Sequence, residues 1–169
     1  MNGKLVGGFI LGVAAVAGAA LYYFQVYHYY ERVEAPAVAL TRLDGTVEPI
    51  PAEDVQAIDA ASSPIRYRAC FATPLSPDTM TETYVPYPDA APLRAPGWFD
   101  CFDAEALGAA LAAGEAVAFL GERNVVYGID RVVAVDDAGR GHVWDQINDC
   151  GERVFDGDPP PPGCPPPPE

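Results

Sequence analysis

The sequence predicts an α+β protein: one N-terminal transmembrane helix, then a small antiparallel sheet domain with two helices, stapled by disulfides, and a polyproline tail. Three observations predict it. Residues 5–24, LVGGFILGVAAVAGAALYYF, hold neither a charge nor a proline, and at about 1.5 Å per residue a helix of that length spans roughly 30 Å, the thickness of a bilayer's hydrocarbon core. Downstream, short β-favouring runs are separated by turn signals, with two stretches of helix-start chemistry among them. Finally, the chain's four cysteines, Cys70, Cys101, Cys150 and Cys164, all follow the apolar run, and an even number in an oxidising compartment reads as a disulfide framework. The expected organisation is an anchor over residues 1–34, a domain over 35–157 and a tail over 158–169.

The direction of the anchor follows from charge. Lys4 is the sole lysine and precedes the helix, whereas nine arginines and all 24 acidic residues follow it. Positive charge resists translocation, so the short basic end is expected in the cytoplasm and the long acidic part across the membrane. The competing expectation is a cleaved signal peptide, since Ala17-Gly18-Ala19 resembles a small-residue cleavage site. The apolar run is longer than the core of such a peptide, which favours a retained anchor.

On a helical wheel Gly8, Gly12, Ala15 and Ala19 fall on one arc, with Val6, Ile10, Val13, Ala17 and Phe24 opposite. Lipid tails are as apolar as leucine, so a smooth face of small residues is useful mainly where a second helix approaches closely. That arc is the expected helix-packing interface. Tyr22, Tyr23, Tyr27, Tyr29 and Tyr30 come next, and their apolar rings with polar tips suit the headgroup region as membrane anchors. The helix is expected to extend to Glu31 or Arg32 and to end before Ala35-Pro36.

The domain then reads as follows. Residues 38–41 and 46–50 flank Asp44-Gly45, a hairpin signal. Residues 51–60, PAEDVQAIDA, open with proline and acids in the manner of a helix. Residues 65–72 alternate as a strand, with Ile65, Tyr67, Ala69 and Phe71 toward the core. The proline-rich residues 73–97 predict a long ordered loop. Trp98, Phe99 and Phe102 predict an aromatic core anchor pinned by Cys101. Asp103 caps a helix over 104–113 that Gly114 stops. Residues 116–120 predict a buried strand, 121–124 a turn, 125–135 a long strand with an irregularity at Gly128, and 142–147 its partner, closed at 148–151. Helices are expected on one face of the resulting sheet. The tail holds eight prolines in its last eleven residues, which favours an extended polyproline rod.

Cysteine connectivity is open on sequence grounds, although local closure favours Cys70–Cys101 and Cys150–Cys164. No CxxC is present and no histidine lies within a few residues of a cysteine, so structural bridges are expected over redox or metal chemistry. A net charge of −14 and a pI near 4.3 argue against nucleic acid as a partner. His28 and His142 lack the context of a triad, and no nucleophile elbow, phosphate loop, dinucleotide fingerprint or zinc-protease motif occurs. No catalytic residue, metal ligand or cofactor is expected.

The short basic start, the glycine-alanine helix ending in QVYHYYE, the RYRACF strand, WFDCFDAEALGAAL and YGIDRVVAV together resemble an uncharacterised alphaproteobacterial family of single-pass membrane-anchored periplasmic proteins. Its members form a domain of unknown function and are sometimes labelled histidine kinase. This chain has no ATP-binding or phosphoacceptor motif, so the resemblance implies location and fold but no active-site residue. The expected role is a non-catalytic accessory or assembly subunit of a larger inner-membrane complex, with a respiratory oxidase or cytochrome complex as first host. The alternative is a stand-alone or homodimeric periplasmic binding or sensing module.

Overall fold

The computed structural model describes residues 2–34 and 36–168. The apolar run forms α1 (Gly3–Tyr23), capped by Asn2, whose side-chain oxygen accepts from the Lys4 amide. It continues through a π-helical turn (Phe24–His28), and the whole segment Gly3–His28 is long and apolar enough to cross a membrane. The helix ends sooner than the sequence suggests. Glu31 and Arg32 are recruited instead as an edge strand, β1 (Glu31–Arg32), paired with Asp59 and Ile58. Ala35, where the helix limit was expected, lies outside the described residues.

Beyond β1 the chain forms β2 (Ala39–Thr41), β3 (Val47–Pro49), β4 (Glu53–Asp59), β5 (Arg68–Ala72), α2 (Pro77–Thr81), α3 (Ala104–Ala113), β6 (Ala116–Val126), β7 (Ile129–Asp136), β8 (Arg140–Ile147) and α4 (Asp149–Phe155). Six strands make one antiparallel sheet in the order β1-β4-β5-β8-β7-β6, and β2 and β3 form a separate hairpin. Gly45 takes the left-handed turn of that hairpin at φ +85°.

The sheet is covered on both sides, and the two-residue period sorts its side chains. Ala57, Ala69, Phe71, Phe119, Val133, Val135 and Val143 meet Val38, Leu40 and Ile50 of the hairpin region, Met80 of α2, and Tyr84 just beyond α2. The opposite face presents Ile58, Cys70, Ala118, Val132, Ala134 and Trp144 to Leu107 of α3 and to Phe99 and Phe102 of the loop before it. Helices therefore reach both faces, α2 on one and α3 on the other. Tyr67, Ala69 and Phe71 point into the first cluster as the alternation predicts, while Ile65 is half-buried in the preceding turn.

Three local expectations are corrected. Residues 53–59 are strand β4, not helix: they bridge β1 and β5, and a register shift between Glu53 and Gln56, with Asp54 at φ +51°, hides their two-residue period. Residues 121–124 do not turn the chain, because β6 runs on to Val126 through two register shifts, with Asn124 at φ +52°. The reversal falls at Tyr127-Gly128. Residues 148–151 begin α4, whose cap Asn148 accepts from the Gly151 amide. By contrast, α3 spans the predicted residues, with Asp103 accepting from Glu105 and Ala106 and Gly114 in the left-handed region. Residues 73–97 are an ordered connection that bridges to Arg42 and Phe119 and contains α2. Residues 159–168 contain neither helix nor strand.

Candidate functional site

The expected helix-packing face, Gly8, Gly12, Ala15 and Ala19, is exposed, and no residue of α1 is buried by the rest of the chain. A Cβ built on Gly8 or Gly12 would meet nothing within 4 Å. Each glycine costs a helix about 1 kcal/mol relative to alanine, and nothing in this chain's own packing offsets it.

The tyrosine collar belongs to the joint between the N-terminal helix and the domain. Tyr22, Tyr23, Tyr27 and Tyr29 are exposed and Tyr30 is half-buried. Trp98 reaches up from the loop before α3: its Nε1 donates to the Val26 carbonyl at 2.7 Å, its ring stacks on Tyr27 with centroids 6.4 Å apart, and Tyr30 meets it edge-on at 6.0 Å. Val26 lies in the last helical turn, where carbonyls lack intrahelical partners. Arg66 stands over the Tyr30 ring at 5.5 Å. Below Trp98, Phe99 and Phe102 are buried in the core and Cys101 is bonded to Cys70 on β5. Packing is therefore continuous from sheet to disulfide to Trp98 to helix end. The sequence marks this aromatic cluster as core; Phe99 and Phe102 are core, and Trp98 is the joint.

All four cysteines are bonded, as Cys70–Cys101 and Cys150–Cys164. His142, remote from any cysteine in sequence, sits opposite Cys70 in the β5–β8 register and edge-on to Phe102 at 5.6 Å. Its Nδ1 is buried without a hydrogen-bond partner. Burial pulls its pKa below the ordinary imidazole value, opposed by the Cys101 backbone. A cavity of about 210 Å³ opens beside it, between α3 and the β7–β8 turn, with Asp103, Asp136 and Arg140 on its walls. Asp136 is engaged there, accepting from Arg140 Nε at 2.7 Å and from two backbone amides. The His142 nitrogen that a triad carboxylate would hold is thus unpartnered, which is not the geometry of a triad.

A larger polar cleft of about 530 Å³ lies between the Tyr87 loop, the start of α4 and the tail that Cys164 ties back. Its floor is Asp130, fully buried. Asp130 accepts from the Asn124 amide at 2.9 Å, Asn148 Nδ2 at 2.6 Å and the Tyr87 hydroxyl at 3.2 Å. Burial and then the Asp130 charge push the Tyr87 hydroxyl well above its usual range. Its Oδ1 is occupied by groups that knit the end of β6 to the cap of α4, and its Oδ2 by the Tyr87 hydroxyl, with Arg123 Nη1 at 3.6 Å. On the adjoining face, buried Arg68 donates to the carbonyls of Ile65, Tyr67, Leu93 and Arg94 and so holds the proline-rich loop. Among the described residues no group of three or more His, Cys, Asp or Glu side chains is placed to hold a metal ion. His28 packs against Phe24 at the helix end.

These features define a class: a disulfide-tied α+β domain joined through an aromatic clamp to one N-terminal apolar helix. The chain belongs to a family of unknown function, DUF6446, whose family model matches residues 38–165. No curated protein matches the chain. No solved structure matches it.

Proposed function

We propose that the protein is a non-catalytic accessory or assembly subunit of a larger inner-membrane complex, docking through α1 and through its domain in the periplasm. The N-terminus lies in the cytoplasm, as the lone Lys4 ahead of the helix and the acidic chain beyond it favour. The bridges Cys70–Cys101 and Cys150–Cys164 suit an oxidising compartment. A respiratory oxidase or cytochrome complex is the first host to test, since such assemblies recruit single-helix subunits.

The observation that carries the reading is the empty space around Gly8 and Gly12. Two glycines sit at helical spacing where this chain leaves room for any side chain, and close approach of a second helix is the physical use for them. The joint at Trp98 supports it further by fixing the domain to the helix that docks. The test is the double variant Gly8→Leu, Gly12→Leu, which should still insert but lose its partner on co-purification in mild detergent. Unchanged recovery of the partner would remove the helix face from the account. Crosslinked adducts of the chain with itself alone would favour the homodimeric sensing module.

A further inference from the structure

We propose that the domain lies with one end of its sheet on the membrane surface, a neutral-headgroup lipid interface that takes Val126, Ile147 and Phe155. The proposal rests on the reading of α1 as a retained anchor. Among the described residues beyond Tyr29, the large apolar side chains left exposed are Leu43, Val47, Val126, Ile147 and Phe155. The first two belong to the β2–β3 hairpin. The other three come from separate elements, the ends of β6, β8 and α4, yet the topology gathers them. Val126 pairs with Ile129, Ile129 with Ile147, and Phe155 packs beside Gly128 in the β6–β7 turn.

That is the end of the sheet at which the anchor enters. Cross-strand register aligns Glu31 with Asp59, Ile58 with Arg68, Arg68 with Trp144, and Arg131 with both Asp145 and Glu122, so the start of β1, the end of β4 and the start of β5 share one end with the end of β8, the start of β7 and the end of β6. Six strands at roughly 4.8 Å spacing place the β6 corner about 24 Å across from the anchor's entry. Trp98 holds that end against the last helical turn through Val26 and Tyr27. The apolar corner thereby shares the end of the sheet that adjoins the tyrosine collar, the part of the chain that meets the headgroups.

The occupant's charge follows from the surroundings. Glu122, Asp149, Glu152 and Asp156 are exposed in the segments that carry the three apolar side chains, and the two exposed arginines there, Arg123 and Arg153, are paired with Asp130 and Asp158. Such a charge repels anionic lipid, while apolar side chains partition about 5–10 Å into the headgroup boundary of a neutral surface. Contact is therefore assigned to uncharged or zwitterionic lipid.

The test uses the full chain reconstituted in phosphatidylcholine vesicles with brominated acyl chains, which quench nearby indoles. Phe155→Trp and Val126→Trp each add one reporter over wild type, whose tryptophans are Trp98 and Trp144. Ala138→Trp, in the β7–β8 turn at the opposite end of the sheet, is the control. The added emission at positions 155 and 126 should fall about twofold, as expected for shallow insertion, and that at position 138 should not change. Vesicle flotation with no more quenching at 155 and 126 than at 138 would overturn the proposal and return the corner to a protein partner. Failure of the wild-type chain to float would overturn the anchor reading as well.

Discussion

Removing the Cys70–Cys101 bridge should destabilise the domain far more than removing Cys150–Cys164, although loop entropy alone makes them similar. The sequence separations are 31 and 14 residues, and chain-entropy bookkeeping gives about 3.7 and 3.0 kcal/mol at 25 °C. The structure separates them. Cys70 is buried at mid-strand in β5, and the loop it is bonded to buries Phe99 and Phe102 in the cluster around Trp144, packing that keeps the bridged segment ordered in the native state whether or not the bond exists. The full entropic term is then lost on substitution. Cys164, in contrast, ties down an almost wholly exposed proline segment, which the Tyr127 hydroxyl also holds by donating to the Pro165 carbonyl at 3.1 Å. Without its bond that segment gains freedom in the folded state too, and the two gains largely cancel. The double variant Cys70→Ala, Cys101→Ala should lose about 3–4 kcal/mol, a large share of a typical 5–15 kcal/mol. Cys150→Ala, Cys164→Ala should lose less than about 1 kcal/mol. Urea titration of the full chain in lipid nanodiscs, followed by near-ultraviolet dichroism of the buried Trp144, measures both. Equal losses would refute the argument, as would a change below about 1 kcal/mol for the first pair.

Two further outcomes are expected. Gly151→Ala should destabilise by about 1–3 kcal/mol, because the added Cβ would overlap the Gly128 backbone and push α4 off the β6–β7 turn; the urea midpoint reads it, while an exposed change such as Ala138→Ser should leave it unmoved. His142 should make stability fall on mild acidification: its folded pKa is depressed by burial, so the unfolded chain takes up the proton first. That contribution is fully present above about pH 6.5 and is lost below it, by at most about 1.4 kcal/mol per pH unit until the folded imidazole protonates. His142→Phe should flatten the dependence, and an unchanged slope would contradict it.

How far the sequence carries this fold depends on whether local signals were used for the ends of elements or for bulges inside them. Asp103 and Gly114 bound α3 as cap and stop, and Asp44-Gly45 turn the first hairpin, because those residues act on their own neighbours. Pro51 followed by Glu53 and Asp54 imitates a helix start, yet the segment is held as a strand by partners on both sides, and its bulge at Asp54 erases the alternation that would have revealed it. Gly121 and Asn124 similarly carry turn chemistry into irregularities of β6. The neighbours of His142 depend on β5–β8 register, and Trp98's role depends on where a helix 72 residues earlier ends. Neither is a local property. The small-residue arc of α1 is legible at once because it lies within one helix.

The central claim is that this chain serves another membrane protein, and a pull-down tests it most directly. The tagged full-length protein, extracted from its native membrane in mild detergent, should bring down a larger integral membrane complex in stoichiometric amount, identified by mass spectrometry and, for a cytochrome-containing host, by haem absorbance. Recovery of the chain alone, or only with copies of itself, would contradict the account.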